Sequence, residues 1–398
     1  MLLLGAASLA LLIWSGVLVM ALRYPRRMLA ELPPDEPPGG WPALTIVFAA
    51  LNEEQTIESA TRSMLALDYP NFKIIAVNDR STDATGAILR RLAADEPRLK
   101  VVTITDLPAG WLGKTNALHQ AWQTADTDLI LFTDADCIFA PDALRRAVSY
   151  AVNERTDHLS LLPTIPINSF GEGLFLNIFT LLFAIKFSNW RIENPRDRGY
   201  IGVGAFMLVR RAALAALGGL RPVRMSVDDD MRLGEAFKVN GYKLRSLQSG
   251  GMVTVKWHES LLGFIKGVEK NSYASMDFNP FEFALAIGGT FVVGAAPHAA
   301  LLLGPTLEVR AIGALGIAVI CVLLHMARSI TGTGWWHGFF TPLGVVVIQA
   351  ALAHSLYKTY LRRGIVWRGH LYPLAALRAH VRERNAWTKE AWRRHKPR

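Results

Sequence analysis

At 398 residues the chain is longer than one ordinary core needs. Its 51% hydrophobic and 19% charged residues, with the apolar ones bunched, exclude a wholly soluble single domain and point to membrane spans beside a folded region. Two cysteines exclude a disulfide framework, and the formal net charge of +10 does not indicate nucleic acid: the excess sits beside apolar runs and in the tail, where anionic lipid headgroups explain it, and no zinc-knuckle spacing or aromatic-interleaved basic ribbon is present.

Met1 to Leu22 carries no charged side chain and is long enough to span a bilayer. Arg23, Arg26 and Arg27 follow it, whereas a cleaved signal peptide carries its positive charge in front. An uncleaved anchor over 1–22 is therefore expected, with its N-terminus outside and the chain from Arg23 onward in the cytoplasm. Residues 23–40, ending in the Pro- and Gly-rich stretch Glu31 to Gly40, read as a linker.

From 41 to 280 the pattern alternates. Leu44 to Ala49, Lys73 to Val77, Val101 to Ile104 and Leu129 to Thr133 read as strands, separated by helical spacing over Glu54 to Leu67, Arg80 to Asp95 and Lys114 to Thr124. Such alternation predicts an α/β domain with a mostly parallel, Rossmann-like sheet whose strand C-termini line one crevice. Gly171 to Trp190 is apolar but broken by Glu172, Asn177 and Lys186, and reads as an interfacial or buried helix. A membrane region over 281–360 holds three apolar runs: Phe283 to Leu307, Ala311 to Ala327 and Phe339 to Tyr357. Three crossings would leave the basic tail, 361–398, outside, against the positive-inside rule. Either one run is re-entrant or lies along the surface, with Pro297 and the Gly-rich joint Gly332 to Gly338 as the irregular points, or the tail is an exception to the rule; an even number of C-terminal crossings is favoured.

The polar clusters follow the strands. Asp134-Ala-Asp136 closes Leu129 to Thr133, and two carboxylates at a strand end suit a hard divalent cation, Mg²⁺ or Mn²⁺, that also takes diphosphate oxygens; a solvated turn has the same appearance. Asn52 and Glu53 end the first strand and Asp79 the second, where short acceptors can hold a nucleobase and ribose. Asp79, Ser81 or Asp83 can equally cap the next helix. Lys114 stands at a helix start and suits a phosphate, although the glycine spacing of a P-loop is absent. Asp228-Asp229-Asp230 precedes an amphipathic helix, either as a cap or as repelling carboxylates of which one is poised to accept a proton. His258 follows a strand-like run but has no metal-ligand partner in the sequence, and Glu269, Lys270 and Asn271 are candidates for touching an acceptor.

Taken in order, Phe48 to Glu54, Val77 to Asp83, Gly113 to Leu118, Thr133 to Asp136 and Asp228 to Leu233 resemble glycosyltransferase family 2 of the GT-A fold, over about Trp41 to Trp257. The flanking apolar runs and Val366 to Tyr372 resemble its membrane-bound subgroup, which includes ceramide glucosyltransferase-like and hopanoid- or carotenoid-associated enzymes. The resemblance implies a nucleotide-sugar donor and a single inverting displacement. It makes Asp79 the nucleobase contact, Asp134 and Asp136 the contacts to ribose, metal and diphosphate, and Asp230 the general base, with Asp229 where the family has Glu. The family's Arg-Trp motif after the base is missing; Gly267 to Tyr273 stands there, against processive synthesis. A lipid acceptor is expected because both ends of the chain hold the site near the bilayer. Polyprenyl-phosphate sugar transfer and a non-catalytic nucleotide-sugar-binding scaffold are the alternatives.

Overall fold

The computed structural model describes residues 1–256 and 260–396, so His258 lies outside the described residues. Two compact units emerge. A sheet unit comprises Arg26–Thr164, Arg191–Lys256 and Ala375–Arg398, and a helical unit comprises Met1–Pro25, Ile165–Trp190 and Trp257–Leu374.

The strands of the sheet unit are β1 (Leu44–Ala50), β2 (Phe72–Asp79), β3 (Leu99–Ile104), β4 (Leu129–Phe132), β5 (Cys137–Phe139), β6 (His158–Leu162), β7 (Met207–Arg210), β8 (Leu244–Gln248) and β9 (Val253–Val255). Seven of them form a sheet in the order β3-β2-β1-β4-β7-β6-β8, and β5 pairs with β9. β1, β2, β3 and β4 run parallel, as does β6 with β8; only β7 opposes its neighbours. β1 is buried at every position, as expected of a parallel strand covered on both faces. The sheet is thus the mostly parallel α/β sheet expected, and the first four strands fall within a few residues of their predicted bounds.

The antiparallel strand decides the site. Pairing Phe132 with Met207 delivers the residues before β7 to the point where β4 ends, and Thr133 Oγ1 donates to Ala205 O at 2.8 Å. A later helix, Asp229–Val239, packs on the same loop, since a Cβ on Gly234 would meet Ile201 O.

Two stretches expected to be peripheral belong to this unit. Within the linker, Met28 bridges to Gln248 and Leu29 is fully buried. Within the tail, Leu374–His395 is a helix whose Glu383 pairs with Arg224 at 2.7 Å and whose His380 meets Ser226 at 3.2 Å.

In the helical unit Ala7 clusters with Ala300 and Val309, and Trp14 with Val293 and Ile320. Leu2–Arg23 therefore runs antiparallel to Pro280–Leu303 and parallel to Leu307–Met326. Pro297 sits inside an unbroken helix, and the real joint is Gly304 to Thr306, where Thr306 Oγ1 caps Val309 N at 3.4 Å. The expected irregularity at Gly332 to Gly338 is present: a 3₁₀ turn over Trp335–Phe340 precedes Thr341–Leu361, which starts beside Gly294, about halfway along its neighbour. Phe170–Glu193, read from sequence as falling short of a span, joins four others, so that among the described residues five helices are long and apolar enough to cross a membrane. β10 (Gly364–Trp367) and β11 (His370–Pro373) close a hairpin through Arg368 and Gly369, both at positive φ, as a two-residue hairpin turn requires.

Candidate active site

The ends of β1 and β2 are tied to each other. Asn52 Oδ1 accepts from Thr82 N at 2.8 Å, Thr85 Oγ1 from Glu53 N at 2.8 Å, and Glu54 Oε2 from Ala84 N at 2.9 Å. Asn52 and Arg80 turn the chain here in the left-handed region, at φ 57° and 60°. Asp79 is 2% exposed and gripped by its neighbour: Arg80 Nε and Nη2 donate to its two oxygens at 2.8 and 2.9 Å. Each carboxylate oxygen keeps a further lone pair for a ligand donor. Asn52 and Glu53 therefore tie the loops after β1 and β2 together, and Asp79 is buried and held by Arg80.

The acidic residues from distant segments gather around one cation and one glycine. Lys114 Nζ donates to Asp134 Oδ1 at 2.6 Å and lies 3.9 Å from Asp229 Oδ2. Gly204 N donates to Asp230 Oδ2 at 2.8 Å, while a Cβ on Gly204 would lie 2.6 Å from Asp134 Oδ2. Asp134 and Asp230 thus flank the same glycine. The triplet 228–230 has separate duties: Asp228 pairs with Arg232 at 3.0 Å, Asp229 faces Lys114, and Asp230 faces Gly204. No side-chain cap bond is made by Asp228, the residue at the N-cap, so capping does not account for the triplet.

Electrostatics follows from this crowding. Burial, reinforced by Asp134 and Glu53, pushes the Asp136 carboxyl up to about 6. Burial and the neighbouring Asp229 push Asp230 up to about 6 as well. Burial works against the Lys114 charge, but Asp134, Asp229 and Asp230 outweigh it and hold the ammonium protonated far above its ordinary range.

Among the described residues no group of three or more His, Cys, Asp or Glu side chains converges as a metal cage. The donor set fits a different kind of site. Mg²⁺-type ions are commonly bound by one or two carboxylates, with substrate phosphates and water completing the shell, and Asp134 with Asp136 is such a pair. The repulsion felt by Asp136 is the kind a cation relieves.

Gly202, Gly204 and Arg232 were not singled out from sequence. Their signal is Tyr200-Ile-Gly-Val-Gly-Ala205 before a short strand: a Cβ on Gly202 would collide with Asp230 O, and Arg232 ties Asp228 to Tyr200 Oη at 3.0 Å.

A family model described as glycosyl transferase family 2 matches residues 45–218. A beta-monoglucosyldiacylglycerol synthase of Synechocystis sp. is 29% identical over 267 residues, covering 62% of this chain and 54% of that protein. A 4,4'-diaponeurosporenoate glycosyltransferase of Staphylococcus aureus is 28% identical over 197 residues, covering 49% and 51%. The chain spans about half the length of the curated relatives it matches. Among solved structures, the mannosyltransferase PcManGT from Pyrobaculum calidifontis, in complex with GDP-Man and Mn²⁺, is similar with a TM-score of 0.51 at 19% identity, over 89% of this chain and 99% of that one; the likeness concerns the fold.

Proposed function

We propose that the chain, whose residues 45–218 match the glycosyl transferase family 2 model and whose mostly parallel sheet is of GT-A type, is an inverting, membrane-bound glycosyltransferase that moves a sugar from a nucleotide-sugar donor onto a lipid hydroxyl. The observation that carries this reading is the arrangement of Asp134 and Asp230 on either side of Gly204, with Lys114 beside Asp134. One carboxylate then attends the leaving diphosphate and the other the incoming hydroxyl.

Asp230 takes the acceptor proton as the new oxygen–carbon bond forms at the anomeric centre and the bond to the diphosphate oxygen breaks, which inverts the configuration. Asp229 balances Lys114, and Lys114 offers its charge to the diphosphate. Asp134 and Asp136 would hold Mg²⁺ or Mn²⁺, which would supply Lewis-acid stabilisation of the departing diphosphate. Asp79 orients the nucleobase from the end of β2, with Asn52 and Glu53 fixing the loop that faces it.

The lipid acceptor is supported by the span-length helices and by the names of the two relatives, a glucosyldiacylglycerol synthase and a diaponeurosporenoate glycosyltransferase. For the topology we read Leu2–Arg23, Pro280–Leu303 and Leu307–Met326 as crossings, with Thr341–Leu361 and Phe170–Glu193 re-entrant or along the surface. Two C-terminal crossings then leave Arg23 to Arg27, residues 41–280 outside the spans, and the basic C-terminal segment on the cytoplasmic side.

The test is transfer to a lipid acceptor by Asp230→Asn and Asp229→Asn. We expect Asp230→Asn to lose about 10² to 10⁴-fold in transfer while keeping donor affinity and melting temperature. In the wild type at saturating Mg²⁺, which keeps Asp136 ionised, the rate should fall as pH drops through about 6, where Asp230 takes up its proton, and the Asn variant should lack that limb. Wild-type turnover by Asp230→Asn with a dead Asp229→Asn would move the base by one residue.

A further inference from the structure

A cavity of about 400 Å³ opens within the helical unit, and its charged lining comprises Lys266, Lys270, Lys358 and Arg362 against a single carboxylate, Glu269, with His354 beside them. Glu269 is already taken: His354 Nε2 lies 2.7 Å and Arg362 Nη1 2.8 Å from its two oxygens. Among the described residues neither Lys266 nor Lys358 has a carboxylate partner. Lys270 Nζ stands 3.9 Å from the centre of the Trp367 ring, a cation–π contact at the rim of the cavity. With Glu269 held by Arg362 and His354, Lys266 and Lys358 leave a concave surface with a surplus of positive charge, which an anion stabilises.

The position of the cavity says which anion. It is built on the last turn of Thr341–Leu361, where Tyr360 Oη meets Tyr273 Oη at 3.2 Å and the Tyr273 ring packs 5.4 Å from that of Phe283 in the first turn of Pro280–Leu303. The antiparallel packing of Leu2–Arg23 on that helix brings Arg23 to the same end of the bundle. Tyr357, Leu361 and Leu371 are 61%, 60% and 46% exposed around it. Exposed tyrosines and leucines next to lysines and arginines at a bundle end are what the headgroup level of a bilayer selects. A free anion would use the charges and leave the apolar rim idle. A phosphodiester that carries acyl chains uses both.

We infer that this cavity, whose Glu269 and Lys270 the sequence offers as candidates for touching an acceptor, binds instead the phosphate of an anionic membrane phospholipid. The inference rests on the membrane reading of the helical unit and not on the transfer chemistry. The test uses the full chain, delipidated in neutral detergent and reconstituted into bilayer discs of phosphatidylcholine or of a phosphatidylcholine–phosphatidylglycerol mixture, with retained lipids counted by native mass spectrometry. The wild type should retain phosphatidylglycerol over phosphatidylcholine by about tenfold or more, and Lys266→Glu/Lys358→Glu should abolish that preference. Arg382→Glu/Lys389→Glu, the same charge change on the Leu374–His395 helix, should leave it intact. Equal retention of the two lipids by the wild type, displacement of phosphatidylglycerol by millimolar inorganic phosphate, or an equal loss in the control pair would each overturn the site. Failure to insert into either bilayer would sink the membrane reading along with it, whereas insertion without preference sinks the lipid site alone.

Discussion

In the sheet unit Gly204 leaves room for a carboxylate: its missing Cβ is the space in which Asp134 Oδ2 lies, and its N–H is given to Asp230. In the helical unit Gly313 leaves room for a backbone, because an added Cβ would lie 2.5 Å from Pro297 O and from Leu301 N. The same absence of a side chain admits a carboxylate in one unit and a helix backbone in the other. Close backbone approach at small residues is how apolar helices associate where lipid offers no hydrophobic gain. In a buried sheet, apolar strands already supply the stability, so strand ends can carry repelling charges. Damage at the strand ends should therefore reduce turnover with little loss of stability, and damage at the helix contacts should do the reverse.

The largest expected effect tests the first half. Asp136→Asn, or wild type in excess chelator, should lose at least about 10²-fold in transfer, because several kcal/mol of leaving-group stabilisation disappears. The melting temperature of Asp136→Asn should hold or rise, since a buried carboxylate repelled by Asp134 and Glu53 is replaced by a neutral group. Full activity in chelator would remove the metal from the mechanism. Next in size, Gly204→Ala should cost on the order of 10²-fold by displacing Asp134, a carboxylate that must be placed to within about 1 Å. Equal losses of turnover and stability in that variant would erase the contrast with Gly313.

The sequence showed one half of this contrast more readily than the other. Asp134 and Asp136 could be placed because a run of four apolar residues ends just before them, and the parallel order of β1, β2 and β4 follows from alternation with helices. The partnership of Gly204 with Asp134 and Asp230 could not, because it depends on β7 entering antiparallel beside β4, a pairing that no local pattern announces. The C-terminal helix was hidden for another reason. Its buried positions, Leu374, Leu377, His380, Arg384, Thr388 and Ala391, keep helical spacing, but polar residues fill three of them. Hydropathy therefore reports a solvated tail where burial shows a packed face. In the helical unit composition marks the spans, while the halfway start of Thr341–Leu361 depends on contacts at Gly294.

The second half of the contrast is tested by Gly313→Val. Two helix backbones would have to separate, and overpacking of this kind costs typically about 1–3 kcal/mol. Thermal unfolding in detergent should reveal the loss, while soluble-donor binding at the sheet unit should persist. A stable variant with impaired donor binding would show that the glycine contacts do not divide by unit as argued.

The smallest effect concerns the hidden helix. Ser226 is 3% exposed, and its hydroxyl meets His380 Nε2 at 3.2 Å and accepts from Arg384 Nη1 at 3.5 Å. Ser226→Ala should cost about 1 kcal/mol, the usual net worth of one hydrogen bond. Its effect on transfer should be slight, because Asp228 keeps Arg232 and Asp230 keeps Gly204. The pH dependence identifies the partner. Burial, with Arg224 and Arg384 adding to it, lowers the His380 pKa to about 4, so the folded chain holds this imidazole neutral. The unfolded chain takes up the proton near pH 6.5. The contribution of neutral His380 is therefore present above about pH 6.5 and is lost as pH falls toward 4. His380→Gln keeps a hydrogen-bonding group but cannot titrate, so its stability should fall less steeply than that of the wild type between pH 6.5 and 4. Parallel curves for the two proteins over that interval would mean that the imidazole is not held neutral against Ser226, and the C-terminal helix would lose its claim to be part of the sheet unit's core.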